Sequence, residues 1–144
     1  MDKKTNKMKI LISGSMQFSE KMLEVKQQLE ALGYTALVSK FIEHYIGKDE
    51  AEKEGLKLKH KYEEDAIREY WDLMQDVDAL LVLNYDKHDI KNYVGGNAFL
   101  EMGFAHVLYK PIYLLNPIPT IPYYGTEIIA LKPVVIDGNL QRIQ

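Results

Sequence analysis

The sequence contains no cysteine. This absence excludes disulfide bonds, thiolate nucleophiles and cysteine-ligated zinc sites. An excess of positive charge is lacking too, because the formal net charge is −3 at pH 7, so we expect no binding to a nucleic-acid polymer or an anionic membrane. The first apolar run, residues 8–13, is too short for a signal peptide or a membrane span. These absences favour a cytoplasmic protein.

Several familiar motifs are missing as well. The sequence has neither the GxGxxG run of dinucleotide-binding loops nor the GxxxxGK[ST] run of P-loops. Its four histidines show no metal-ligand spacing, and no Ser-His-Asp arrangement can be proposed from spacing. Chemistry at this protein's site would therefore have to come from other side chains.

Short apolar runs alternate with segments of helical spacing. We interpret residues 1–7 as a flexible polar tail and residues 8–144 as one domain. The apolar runs predict five strands, at 8–13, 35–41, 79–84, 111–116 and 133–136. Helices are predicted before Gly33, at 64–75, 97–109 and 126–131, whereas the charge-dense segment 42–64 is predicted to be a loop or an exposed helical excursion.

Continuously apolar strands separated by helices are typical of a parallel sheet covered on both faces. The predicted fold is therefore α/β: a three-layer α/β/α sandwich with a doubly wound, five-stranded parallel sheet, flavodoxin- or Rossmann-like. Such sheets bind ligands at the carboxyl ends of their strands. This rule selects the loops 13–18, 84–97 and 116–125.

Glu101 is the most informative side chain near that edge. It follows the Gly95-Gly96 pair by five residues and lies in an otherwise apolar predicted helix. One interpretation is an acid in the first helical turn that complements the helix dipole. The other is a carboxylate at the rim of a pocket that acts as a nucleophile or base, held in place by close packing of the helix at Gly103.

Two small-residue loops leave similar alternatives open. Gly95-Gly96 either forms a tight turn before the helix or lets the backbone approach a ligand. The run Ser13-Gly14-Ser15-Met16 either caps the first helix, through Ser15 or Ser19, or holds a phosphate or hydroxyl group.

Together, these segments resemble the nucleoside 2-deoxyribosyltransferase-like family. The resemblance rests on "ILISGSM" after the first strand, "DALLVLN" at the third, and "GGNAFLEMGFAHVLYKPIYLLNPIP". In the last run Glu101, Gly103, Ala105 and Lys110-Pro111 match the family pattern. The resemblance covers most of the chain, from the first predicted strand to the fourth.

The resemblance implies cleavage or transfer at the N-glycosidic bond of a nucleoside or nucleotide, without a metal or cofactor. Glu101 would attack the anomeric carbon and form a glycosyl-enzyme ester. The family's acidic residue six positions earlier is Gly95 here, with Asn92 nearby, and its second carboxylate falls near Tyr70 or Asp72. We therefore assign the catalytic set to Glu101, Asn92, Asp72 and Tyr70.

The same resemblance implies the substrate-binding residues. On the sugar or phosphate side are Ser13, Gly14 and Ser15, facing Gly95, Gly96 and Asn97. The residues expected to surround the base are Met16, Phe18, Tyr85 and Tyr93. Asn116, at the start of the last loop, completes the set. The loop 116–124 is predicted to be a lid or a subunit contact, since family members commonly form homo-oligomers, dimers or larger.

An alternative comes from a different class of protein. "YVGGNAFLE" is also similar to the GGxGTxxE run of nucleotide phosphoribohydrolases and related nucleotide-sensing proteins, although it is one residue shorter and lacks the Gly-Thr. In a sensor, Glu101 would bind ribose hydroxyls without turnover. A purely structural Rossmann-like module is the third alternative.

Overall fold

The computed structural model describes residues 8–144, so the predicted tail 1–7 lies outside the described residues. Five strands form one sheet, with all pairs parallel and in the order β2-β1-β3-β4-β5. Their bounds are β1 Lys9–Gly14, β2 Thr35–Leu37, β3 Ala79–Leu83, β4 Ile112–Leu114 and β5 Val134–Val135. The predicted five-stranded parallel sheet is thus confirmed, with strands shorter than the apolar runs at most positions.

Five α-helices and three short 3₁₀ turns connect the strands. The helices are α1 Ser19–Ala31, α2 Glu50–Glu63, α3 Ala66–Gln75, α4 Gly96–Val107 and α5 Gly125–Ala130. The 3₁₀ turns span Met16–Phe18, Ile42–His44 and Leu140–Arg142. Four of the helices follow the predicted ones within a few residues, and α2 lies inside the charge-dense segment.

Two separate apolar cores cover the two faces of the sheet. On one face, the α1 side chains Met22, Val25 and Leu29 pack against alternate residues of β1 and β3. On the other, α3, α4 and α5 contribute the fully buried Met74, Met102 and Ile128. Strand residues alternate between these cores because successive side chains of a strand point to opposite faces. The three-layer α/β/α sandwich predicted from the sequence is confirmed.

The strand order reverses beside β1. The chain runs from β1 outward to β2, and then returns to form β3 on the other side of β1. Between β1 and β3 the connecting segments therefore diverge, which leaves a crevice at the carboxyl ends of these strands. Gly14 and Leu83, the last residues of the two strands, are paired in register at that place.

The segment 42–64 contains a helix most of whose residues are exposed, which is one of the two alternatives predicted for it. Its helix α2 begins with a capping box, in which Asp49 and Glu52 each accept a hydrogen bond from the other's backbone N–H. Two α2 side chains are buried, Lys53 and His60. The Lys53 ammonium lies 2.5 Å from a carboxylate oxygen of Glu20 on α1. The charge-dense segment thus contains a helix that packs on the rest of the protein through polar groups.

Within residues 8–144, no helix combines the length and the apolar content needed to cross a bilayer.

Candidate functional site

The loop after β1, at one side of the cleft where the strand order reverses, starts at a glycine. Any other residue at this position would be strained. Gly14 has φ +153°, and a Cβ atom added to it would lie 3.1 Å from the carbonyl oxygen of Leu83. The loop after β1 therefore passes directly over the end of β3. This close approach opens the space between the loop and the N-terminus of α4.

Glu101 lies at the inner wall of this cleft. It is in the second turn of α4, because the helix begins at Gly96 and has no acid in its first turn. The interpretation of Glu101 as a first-turn acid is therefore wrong, since the dipole effect falls off within that turn. Its side chain is buried, with 9% of the residue exposed, and the fully buried Ser13 hydroxyl donates a hydrogen bond to its Oε1.

The second oxygen of the Glu101 carboxyl faces the cleft. No hydrogen bond to Oε2 is found among residues 8–144. No buried side-chain polar atom of these residues lacks a hydrogen-bond partner, so Oε2 is not sealed inside the protein. One oxygen is thus held by β1 while the other is open to a ligand, as a reacting carboxyl requires.

Burial raises the pKa of Glu101 to about 8. The hydrogen bond from Ser13 acts in the opposite direction, and the negative charge of Glu69 adds to the increase. At pH 7 the protonated form of Glu101 therefore predominates. A carboxyl that changes charge so near neutral pH is a frequent property of functional sites.

The end of the cleft beside Glu101 is aromatic. His60 of α2 stacks on Phe41 with ring centroids 4.2 Å apart, and the Tyr45 hydroxyl lies 2.9 Å from the His60 Nδ1. Glu69 of α3 also lines this end and accepts hydrogen bonds from the Ser39 hydroxyl, at 2.8 Å, and from the backbone N–H of residue 40, at 2.7 Å. Flat rings and fixed polar groups of this kind suit a heteroaromatic ring.

The opposite end of the cleft is basic. It is lined by Lys57 and Lys61 of α2 and by Lys87 and His88 from the loop after β3. Lys87 donates a hydrogen bond of 2.7 Å to the Ser15 hydroxyl. Burial lowers the pKa of Lys87, and the positive charge of Lys57 lowers it further. This end therefore concentrates cations whose charge water only partly screens.

The two ends form one continuous cleft. Both are lined by Gly14, Met16, Lys57 and Asn97. Counting the space open to solvent, the basic end encloses about 730 Å³ and the aromatic end about 490 Å³.

The structure brings most of the predicted site residues to this cleft. Those that line it directly are Gly14, Ser15, Met16, Phe18, Tyr70, Tyr93, Gly95, Gly96, Asn97 and Glu101. Ser13 lies behind Glu101, as its hydrogen-bond donor. Ser15 also caps the 3₁₀ turn Met16–Phe18 by accepting from the backbone N–H of Gln17, whereas neither Ser15 nor Ser19 caps the helix α1 itself.

Four predicted residues lie outside the lining. Asn92 borders a separate depression with residues 118–120, and Asp72 is exposed on α3. Tyr85 packs edge-on against Phe18, and Asn116 exchanges hydrogen bonds with Asn84. None of the four is among the residues that line either end of the cleft.

Tyr70 reaches the cleft but its hydroxyl is already engaged. It is buried and donates a 2.8 Å hydrogen bond to the carbonyl of Ile12 in β1. Burial raises the pKa of Tyr70 well above its usual range, so this hydroxyl stays neutral. Its contribution is to fix α3 against β1, and the carboxyl that α3 supplies to the cleft is the preceding residue, Glu69.

Sequence reasoning missed the lysines and Glu69. A signal for the α2 lysines was present, because Lys53, Lys57 and Lys61 recur every four residues and therefore share one face of a helix. Lys87 lies in the loop 84–97 that the strand-end rule had selected, although nothing singled it out within that loop. No comparable signal marks Glu69, whose proximity to the cleft depends on the crossing of distant segments.

Comparison with protein-family models gave no match, and comparison with curated protein sequences gave none either. Among residues 8–144, no group of three or more histidine and acidic side chains is placed to hold a metal ion. The function therefore has to be argued from the cleft itself.

Proposed function

We propose that the protein cleaves the N-glycosidic bond of a nucleoside or nucleotide in the cleft between β1 and α4. One observation carries the proposal: the Glu101 carboxyl is held through Oε1 by Ser13 while Oε2 faces the cleft. The resemblance to the nucleoside 2-deoxyribosyltransferase-like family, which rests partly on the run around Glu101, supports it further.

The chemistry follows from this geometry. An ionised Glu101 forms a bond from Oε2 to the anomeric carbon, while the bond between that carbon and the base nitrogen breaks. The electron pair leaves with the base, which takes a proton from water. Water or a second base then attacks the sugar ester and frees Glu101.

The pKa of Glu101 sets the pH dependence of such a reaction. Because the attacking form is ionised, kcat/KM should rise with pH up to about 8 and then level off. If Glu101 instead protonated the leaving base, kcat/KM would fall above that pH. The profile therefore separates a nucleophile from a general acid.

The same pKa favours a second candidate function, binding of a nucleotide without turnover. A carboxyl that is mainly protonated at pH 7 is a poor nucleophile but can donate a hydrogen bond to a ribose hydroxyl. This is the sensor alternative. A phosphoribohydrolase would use the same cleft but act on a nucleoside monophosphate.

A turnover assay tests the proposal. Common nucleosides and their 5′-monophosphates are incubated with the protein and released base is measured by chromatography. We expect release by the wild type, loss of release in Glu101→Gln, and release by Glu63→Gln, an exposed carboxyl on α2. No release from any compound, together with nucleotide binding in calorimetry, would contradict the enzyme and support the sensor.

The proposal includes a cytoplasmic homo-oligomer, a dimer or larger. Tyr123 is fully exposed in the segment 116–124, and a ring so completely in water suits a subunit contact. Light scattering coupled to gel filtration tests this, with Tyr123→Ser as the variant expected to dissociate. A monomeric wild type would contradict it.

A further inference from the structure

Three ammonium groups from two distant segments converge on the basic end of the cleft. Lys57 and Lys61 lie one turn apart on α2, and Lys87 comes from the loop after β3. Bringing like charges together is unfavourable. Burial is the largest cause of the lowered pKa of Lys87, and the positive charge of Lys57 lowers it further, which reflects part of that cost. An anionic ligand would remove it.

The lining of the basic end itself contains no acid, and the carboxylate that interacts with all three lysines, Glu54 of α2, lies outside it. Its fifteen residues include three lysines and a histidine, but neither aspartate nor glutamate. Lys57 pairs with Glu54 at 2.9 Å, but that carboxylate is about half exposed on α2 and does not line the cleft. The cluster is therefore unlike the Lys53–Glu20 pair, where a buried ammonium meets its own carboxylate.

Neutral donors surround the same space. Gly95 and Gly96 open α4, and no side chain caps this helix N-terminus. The Ser15 hydroxyl, already in contact with Lys87, lies across from them in the lining. Ammonium groups, a hydroxyl and backbone N–H groups around one space are the donors that a phosphate dianion requires.

The position of the lysines relative to Glu101 indicates how a ligand would be oriented in the cleft. Glu101 lines only the aromatic end of the cleft, whereas Lys61 and Lys87 line only the basic end. Gly14 and Asn97 line both ends and therefore lie between Glu101 and these lysines. A sugar at the middle would present its anomeric carbon to Glu101 and its 5′ carbon to the lysines.

We propose that Lys57, Lys61 and Lys87 form a phosphate subsite, so that the substrate is a nucleoside 5′-monophosphate rather than a nucleoside. The orientation of the sugar rests on the proposed function. Recognition of the phosphate does not, because it requires only the basic end.

Calorimetric binding tests the subsite directly. Ribo- and deoxyribonucleoside 5′-monophosphates and the matching nucleosides are titrated into the wild type and into Lys57→Gln/Lys61→Gln and Lys87→Gln. Matched controls are Lys59→Gln on α2 and Lys91→Gln in the loop after β3, exposed lysines outside the lining. Thermal unfolding confirms that each variant is folded.

We expect the best monophosphate to bind at least about tenfold more tightly than its nucleoside, since hydrogen bonds to charged groups are the stronger ones. The cleft variants should lose most of this advantage and the controls should keep it. Equal binding of nucleoside and monophosphate, no binding of any monophosphate, or equal losses in cleft variants and controls would each overturn the subsite.

The outcomes separate this inference from the proposed function. Lysine-dependent binding of a monophosphate without release of base would contradict the proposed glycosidic reaction and support the phosphate subsite. Equal release of base from nucleosides and monophosphates would support the glycosidic reaction and contradict the phosphate subsite.

Discussion

Replacing Glu101 by glutamine should change how the stability of the protein depends on pH. Glutamine keeps the shape of the side chain and an oxygen for the Ser13 hydroxyl, but it cannot ionise. In the wild type, folding raises the pKa of Glu101 from 4.5 to about 8. The folded state therefore binds more protons than the unfolded state between these two pH values.

The sign and the size of the effect follow from this difference. The contribution of the protonated Glu101 is fully present below pH 4.5 and is lost progressively as pH rises to about 8. At about 1.4 kcal/mol per pH unit, the free energy of unfolding of the wild type should fall, relative to the variant, by on the order of 5 kcal/mol in total.

Urea unfolding at intervals from pH 4.5 to 9 measures this. The single tryptophan, Trp71, is partly exposed and packs edge-on against Phe104 at 5.2 Å, so its fluorescence reports unfolding. The difference between wild type and Glu101→Gln should grow up to about pH 8 and then stay constant. A difference that is the same at every pH would refute the burial argument. Glu63→Gln serves as the control with an exposed carboxyl.

Three further substitutions test neighbouring parts of the structure. Ser13→Ala removes the donor that lowers the pKa of Glu101, so it should shift the ionisation of Glu101 to higher pH in a pH titration and reduce stability by about 1–3 kcal/mol. Gly14→Ala places a Cβ at φ +153° and should cost about 1–3 kcal/mol in urea unfolding; an unchanged midpoint would contradict the close approach over β3. The hydrogen bond from Lys53 lowers the pKa of Glu20 to about 2, which stabilises the protein above pH 4.5 and is lost as pH falls through 2. Because Glu20 is nearly half exposed, Glu20→Gln should cost only about 1 kcal/mol at pH 7, and the cost should shrink near pH 2 in acid-unfolding experiments; a cost that does not vary with pH would exclude the pair as its origin.

The fold could be predicted from the sequence because its signals are local. β3 is apolar throughout and β1 is apolar from Ile10 to Ile12, and these residues are buried on both faces of the sheet. The helix α1 carries its buried residues at helical spacing. The segment 42–64 could not be interpreted in this way. Its buried groups, Lys53 and His60, are polar types that hydropathy assigns to the surface, and only their contacts with Glu20 and Tyr45 explain their burial.

The site could be predicted in part. The rule that ligands bind at the carboxyl ends of parallel strands selected the loops that hold Gly14, Gly96 and Asn97. The position of Glu101 after the Gly-Gly pair singled out this carboxyl, and the family resemblance added its attack on the anomeric carbon. The expected reason for the rigidity of α4 was wrong, since a Cβ on Gly103 would meet nothing within 4 Å and the helix does not need a glycine there to pack. What holds Glu101 is the hydroxyl of Ser13, a partner 88 residues away in the chain.

The shallow docking of α2 has a kinetic consequence for the cleft. This helix supplies one wall, yet only two of its side chains are buried, against four in each of α1 and α4. Local opening should therefore be easier at α2 than at α1 or α4, and amide hydrogens of α2 should exchange with solvent faster than those of α4. A ligand held between the α2 lysines and the loop after β3 would slow that exchange in proportion to its occupancy. Local opening of α2, rather than any change in the sheet, would then determine the rates at which ligands enter and leave the cleft.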